Sequence, residues 1–440
     1  MHKYQRWTAV FTPFVLLMLL LAACGQASTP AAPAAEEEAP AAEAPAEEAA
    51  AGDAQLEIFS WWTDGGEADG LAAMYEIFNE QHPDTAIVNA TIAGGAGANA
   101  KTVLKTRLQG GEPPDSWQVH AGKELTAFVD AEQMEPLTTF FAEEGLNDVM
   151  PELLLEQITY NGEIWSVPVN IHRSNVMWYN VAVFEENGLE PPTTIEEFFT
   201  VAEQLQAAGV TPLAVGGSDK FETPHLFESV LLATLGQEDY VMLFEDPAMW
   251  DDPRVAEAAT TLAQMLEYAN DDRSAIGWAD AAQRVLDGDA AMTVMGDWAH
   301  GFFLSKGVTP GVEYGYAAAP GTDGVFLWLS DSFGMARNAP NPDAAMAWLR
   351  VISSREGQDA FNPRKGSIPA RTDADKSLYD EYLTYSIDQF ATQQLAPSIV
   401  HGAAANEAFM SAYGNALNVF ASDLDIEGLM LSLEDARAEL

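Results

Sequence analysis

The sequence predicts an α/β protein with mainly parallel sheets, spread over about two domains. Three observations carry this. Near-continuous apolar runs of strand length alternate with segments whose apolar residues recur at helical spacing. The chain has 440 residues, more than one ordinary core organises, and 48% of them are apolar, enough to fill two. No short internal repeat breaks the alternation.

The first element is an address. Lys3 and Arg6 form a positive start, and residues 8–23 are almost wholly apolar. That run is short for a bilayer span and suits a secretory signal, 1–23. It closes in Leu21-Ala22-Ala23-Cys24, which resembles a bacterial lipobox. The resemblance implies cleavage before Cys24 and a lipid on its thiol, with membrane affinity from acyl-chain burial. Cys24 is the sole cysteine, so an internal disulfide, a zinc–thiolate site and a cysteine nucleophile are excluded. No metal and no cofactor is expected. Residues 24–53 are Ala, Pro and Glu without an aromatic, too poor in apolar surface to offset ordering entropy. Prolines and self-repelling acids predict an extended tether.

The body begins with LEIFSWW, 56–62, a near-continuous apolar run expected of a buried parallel strand. A helix follows, with Leu71, Met74, Tyr75 and Phe78 on one face and Pro83 at its end. Residues 85–94 read as strand and 99–111 as helix, closed by Gly110. Thr194-Ile195-Glu196-Glu197 has the form of a capping box that opens a helix, Gly209 is its natural terminator, and 211–217 returns as a strand. Residues 282–303 go helix, strand, helix.

The formal net charge of −47, from 67 acids against 20 bases, excludes a nucleic-acid partner, which needs clustered Lys and Arg. The chemistry is concentrated where strands end. SWWTDGGE, 60–67, places two indoles, a glycine pair and Glu67 at the mouth of the first strand. In open α/β sheets ligands bind there. The glycines Gly65 and Gly66, and GGAG at 94–97, would let a ligand approach the backbone; no Lys-Ser/Thr follows them, so neither is a phosphate loop. Flat aromatic surface beside carboxylates suits a sugar, whose C–H face lies on an indole and whose hydroxyls each need a polar partner.

Further groups of this kind occur at Trp117-Gln118-Val119-His120, Trp278, Asp297-Trp298, Asp331, Lys365 and His401. Each has an ordinary alternative. A Trp fills cores, a lone His is a satisfied structural residue, Asp297 reads as a helix cap and Lys365 as a solvated charge.

Together, SWWTDGGE, GGEPPDSWQVH, WSVPVNIHRSNVMWYN, DGDAAMTVMGDWAHG, DSFGMA and FNPRKGSIPAR resemble, in order, the family 1 extracellular solute-binding proteins of bacterial ABC sugar importers, and more narrowly the glucose/mannose/galactose-binding branch. The likeness runs from about Leu56 to the C-terminus. It implies a periplasmic-binding-protein-like fold of type II, two α/β lobes joined by a three-crossing hinge. The crossings would fall near 167–173, 330–333 and 374–382. The N-lobe would comprise 54–169 plus 332–378, the C-lobe 170–331 plus 379–440.

The resemblance also implies the ligand contacts. Trp62 would line the sugar, with Trp61 beside or behind it; Glu67, Gln118 and His120 would accept hydroxyl hydrogens from the same lobe. Trp278 and Trp298 would come from the second lobe, Asp331 would accept two adjacent hydroxyls near the hinge, Lys365 would donate, and His401 would close the set. His172 is open between a contact and a structural role. The family pattern carries a Gln- and Trp-containing segment after a glycine pair; here Gly216-Gly217 are followed by Ser218-Asp219-Lys220, which leaves the sugar's identity open.

The function implied is an extracytoplasmic receptor, lipid-anchored to the cell membrane in a periplasm or on the outer face, monomeric, that passes a monosaccharide to an ABC permease. Glucose comes first, then galactose and mannose. The alternatives are a receptor for oligosaccharides or another polar solute and, last, a glycoside hydrolase using Glu67 and Asp331 as its carboxyl pair. Against the hydrolase, Lys365 would hold those carboxylates ionised.

Overall fold

The computed structural model describes residues 54–94 and 97–440. The signal segment, the lipidation site Cys24, the tether and the middle of the GGAG turn lie outside the described residues. Among the described residues no helix is long and apolar enough to cross a membrane.

The first sheet has five strands in the order Thr85–Asn89, Ala54–Phe59, Ser116–His120, Asp331–Met335, Ser166–Pro168. Ala54–Phe59 pairs in parallel with both neighbours, Leu56 opposite Ile87 and Ile58 opposite Ser116. The apolar run of the sequence explains its place: Leu56 and Ile58 are fully buried. The helix that follows, Gly65–Gln81, starts six residues before the apolar periodicity at Leu71 because Asp64 accepts from the Gly65 N–H at 2.8 Å. Its buried face carries Leu71, Met74 and Phe78, each worth about 1.5–3 kcal/mol of transfer free energy. They join Leu56, Ile58, Phe333, Trp348 and Phe361 in one apolar cluster.

The second lobe holds a four-stranded sheet, Tyr314–Ala318, Val176–Asn180, Ala290–Val294, Thr211–Leu213. Thr194 caps the helix Ile195–Ala207 as its sequence signals, with Thr194 Oγ1 accepting from Glu197 N–H at 3.1 Å. The Glu197 carboxylate reaches back to Thr193 rather than to Thr194, so the reciprocal half of the box is displaced by one residue. Gly209 has φ +81° just past the helix end.

The sheets are mixed, not mainly parallel, and the reason lies in two segments that run between sheets in opposite directions. One gives Ser166–Pro168 to the first sheet and Asn170–Arg173 to another four-stranded sheet, Ile368–Pro369, Asn170–Arg173, Val325–Leu329, Gln394–Pro397. The other gives Val325–Leu329 to that sheet and Asp331–Met335 to the first. They pair antiparallel on both sides of the crossing, Leu329 opposite His172 and Ser332 opposite Pro168. Alternation of strand and helix along a sequence does not register such reversals. Ile368–Pro369 pairs antiparallel with Asn170–Arg173 at the edge of this hinge sheet.

Candidate functional site

A cavity of about 260 Å³ opens at the hinge, beside the carboxyl ends of Ala54–Phe59 and Ser116–His120. Its wall includes Trp61, Trp62, Glu67, His120, Trp278, Trp298, Asp331, Lys365 and His401. All the expected ligand contacts therefore meet there except Gln118.

Asp331 sits on the floor, 3% exposed, at the point where the chain leaves one sheet for the next. Its carboxylate accepts from Gln118 Nε2 and Asn170 Nδ2, each at 2.8 Å, and lies 3.3 Å from His172 Nε2 and 3.7 Å from His120 Nε2. Burial pushes this carboxyl up, but His172, His120 and Lys365 outweigh burial and hold it well below the usual carboxylate range. It is an anion with much of its hydrogen-bonding capacity already directed.

Gln118 is therefore placed behind the wall rather than in it. Its Oε1 accepts the Trp61 backbone N–H at 3.2 Å while its amide nitrogen holds Asp331. In this geometry it orients two cavity residues: it shares a sheet face with His120 but lies one pair deeper along the strand, opposite Phe333, while His120 stands opposite Asp331. His120 is fixed by Glu124, 2.7 Å from Nδ1, which also accepts from Lys101 at 2.7 Å. Burial raises the Glu124 carboxyl, and Lys101 and His120 bring it down to about 2.

Asp297 does not cap its helix. It occupies the residue before Trp298–Ser305, yet its side chain makes no capping bond. Its carboxylate instead pairs with His172 Nδ1 and accepts the Arg173 N–H at 2.9 Å. Burial lowers the His172 imidazole, while Asp297 and Asp331 on its two nitrogens more than offset burial and raise it. An Asp297–His172–Asp331 chain thus runs under the cavity, and His172 both lines the wall and supports it.

Lys365 is not a solvated charge. It is 2% exposed, donates to Glu67 Oε1 at 2.7 Å, and lies 5.8 Å from the Trp298 ring centroid. Backbone packing puts it there. A Cβ on Gly66 would lie 2.1 Å from the Arg364 carbonyl oxygen, and one on Gly301 would lie 2.3 Å from that of Lys365. Gly66 of SWWTDGGE thus serves chain packing as well as lining the cavity beside Gly65.

The two adjacent indoles differ from expectation in their exposure. Trp62 lines the cavity but is 1% exposed, packed against Phe361 at 4.7 Å and Phe333 at 5.5 Å between centroids. Trp61 is half-buried, beside His120 at 5.2 Å and under the Lys101 ammonium at 5.1 Å. Both lie past the end of Ala54–Phe59, where the chain turns toward the helix and sends Trp62 into the apolar cluster. Across the cavity Trp298 stands edge-on to His401 and His172, and half-buried Trp278 lies beside Phe302.

His401 is 3% exposed, with Nε2 3.4 Å from His225 Nδ1. Burial, with His225, His120 and Lys101, holds its imidazole well below the ordinary value. The wall also contains Asp219, Phe221, Phe302 and Leu329, which the sequence reading did not pick out as contacts. Phe302 was signalled by its place one turn after Trp298, and Asp219 by the unusual Ser218-Asp219-Lys220 segment. Asn170 had no local signal.

The pattern of the bacterial extracellular solute-binding protein family matches residues 53–359. The chain is 37% identical to an uncharacterized ABC transporter extracellular-binding protein of Pyrococcus horikoshii, over 84% of this chain and 85% of that one. It is 29% identical to a xylose/arabinose-binding protein of Haloferax volcanii, over 82% and 79%. Among solved structures it is similar to the bacterial solute receptor AcbH, described as having an exclusive preference for β-D-galactopyranose, with a TM-score of 0.77 and 19% identity over 88% of this chain and 98% of that one.

Proposed function

The chain belongs to the bacterial extracellular solute-binding protein family, and from that membership we propose that this sugar receptor of an ABC importer takes a single aldohexose into the cavity at its hinge, glucose before galactose or mannose. One observation carries the reading. Indole surface from Trp61, Trp278 and Trp298 converges with Asp331, Lys365, Glu67 and His120 on one small, largely buried space. Trp61, Glu67, Gln118 and His120 would act from one lobe, Trp278, Trp298 and His401 from the other. Asp331 would accept hydroxyl hydrogens from the hinge, and Lys365 would donate. Trp62 would supply an edge, and Gln118 would act by holding Asp331. We take the lobes as 54–169 with 332–378 and 170–331 with 379–440, so that a sugar touching both favours closure. The closed form then docks on the permease. Acylated Cys24 would keep a monomeric receptor at the membrane surface.

The volume supports one ring, being below the roughly 300–1,000 Å³ of drug-sized sites. A longer saccharide is the second reading, favoured by an adjoining cavity of about 310 Å³ that shares Asp219 and Phe221 with the first. The charge state of Asp331 argues for binding over hydrolysis: it is held ionised and so is not poised as an acid, and Glu67 is already engaged by Lys365. Incubation of the full chain with di- and trisaccharides tests both points. Release of no reducing ends, and weaker competition for the site than by glucose, is the expected result; turnover would establish an enzyme, and stronger competition a longer ligand.

A further inference from the structure

We propose that the chain binds a transition-metal ion, zinc or a neighbour of zinc, between His225, Glu228 and His401, behind the sugar cavity. The donor atoms of these side chains all lie within 4.8 Å of one another, and all three residues are buried. His225 and Glu228 stand one turn apart on Glu222–Leu235, and His401 comes from the turn after Gln394–Pro397. His225 Nδ1 lies 3.4 Å from His401 Nε2 and 3.6 Å from Glu228 Oε1. Donors bound at about 2.0–2.2 Å to a tetrahedral centre stand about 3.4 Å apart, so the two spacings from His225 need little adjustment and the third, from Glu228 to His401, is within 4.8 Å. Two imidazoles with one carboxylate select zinc and similar metals over calcium or magnesium, which prefer all-oxygen sites.

The charge balance points the same way. Glu228 is fully buried, and burial pushes its carboxyl up to about 7 even though it accepts from Ser174 Oγ at 2.5 Å, Ser398 Oγ at 2.9 Å, and the backbone N–H groups of Ile399 at 2.8 Å and Val400 at 3.2 Å. Among the described residues its only ion-pair neighbour is His225. Among the described residues no Lys or Arg pairs with it, and two imidazole nitrogens face each other beside it with room for at most one proton between them. A divalent cation would engage Glu228, His225 Nδ1 and His401 Nε2 at once. Bound there, it would tie the 398–401 turn to the helix behind it and fix the His401 ring, which is part of the cavity wall.

The test uses the full chain without sugar, so its outcome is independent of the sugar reading. Incubated with ZnCl2 and dialysed, the protein should retain about one zinc per chain by mass spectrometry. Zinc should raise the thermal midpoint by at least about 2 °C, reversibly with EDTA. Cobalt(II) should give the intense visible bands of a four-coordinate site. Glu228→Gln and His225→Gln should each weaken metal retention at least about tenfold. Because the wild-type measurements stand alone, a variant that fails to fold leaves the proposal decided. No retained zinc and no cobalt bands in the wild type would overturn it, as would full retention in both variants.

Discussion

Asn170 holds Asp331 at two points: its Oδ1 accepts the Asp331 backbone N–H and its Nδ2 donates to the Asp331 carboxylate, both at 2.8 Å. The two residues belong to the two antiparallel hinge segments, so this clasp sets the carboxylate at the cavity floor wherever the lobes move. Asn170→Ala leaves a buried N–H without its acceptor and should cost about 1–3 kcal/mol in urea denaturation. It should also weaken sugar affinity, although Asn170 does not line the cavity. Unchanged affinity would mean that Asp331 is positioned without it.

Asp331→Ala should weaken hexose binding by more than about 2 kcal/mol, since sugar hydroxyls would enter a dry site without their acceptor. Calorimetry on the folded variant decides it. Unaltered binding would take Asp331 out of recognition.

The adjacent indoles should separate by property. Trp62→Ala opens a cavity beside Phe333 and Phe361 and should cost about 3–5 kcal/mol of stability. Trp61→Ala should leave stability closer to wild type and weaken the sugar by more than about 1 kcal/mol. Paired thermal melts and titrations read both. The reverse pattern would return the ligand face to Trp62.

The His172–Asp331 contact predicts a pH dependence of folding. His172 is raised in the folded state, so its contribution is fully present below the unfolded value of about 6.5 and is lost as pH rises through the folded value. Asp331 is lowered, so its contribution is present above about 3.9 and is lost as pH falls toward the folded value. Between them lies the window in which both contribute. The stability gap between wild type and His172→Gln, measured by urea at pH 5.5 and again at progressively higher pH, should narrow as the imidazole of the wild type deprotonates. A gap that widens with pH would show that His172 is neutral in the fold.

These residues also show what a sequence can disclose. The helix face of Leu71, Met74 and Phe78, the Thr194 cap and the apolar first strand were legible because each depends on neighbours within a turn or two. The membership of the cavity was legible at Trp61, His120, Trp298, Asp331, Lys365 and His401 because aromatic and ionic residues gathered at strand ends in a recognisable order. Their partners were not. Whether Asp297 caps its own helix or pairs with His172 depends on a residue 125 positions away. Lys365 reads as a surface charge until Gly66 and Gly301 allow three backbones to meet around it. His225 and Glu228 carry no signal beyond helical spacing; only the fold brings His401 to them. The reversed strands of the first sheet and the hinge sheet likewise arise from two segments that pass directly from one sheet to the other, which local periodicity does not register.

The account turns on sugar recognition by the hinge cavity, and isothermal titration of the full chain with glucose, galactose and mannose, set beside xylose, arabinose and oligosaccharides, tests it most directly. The predicted result is one-to-one binding of an aldohexose, micromolar or tighter, that disappears in Asp331→Ala. Silence from all three hexoses at millimolar concentration, or preference for a pentose or an oligosaccharide, would contradict it.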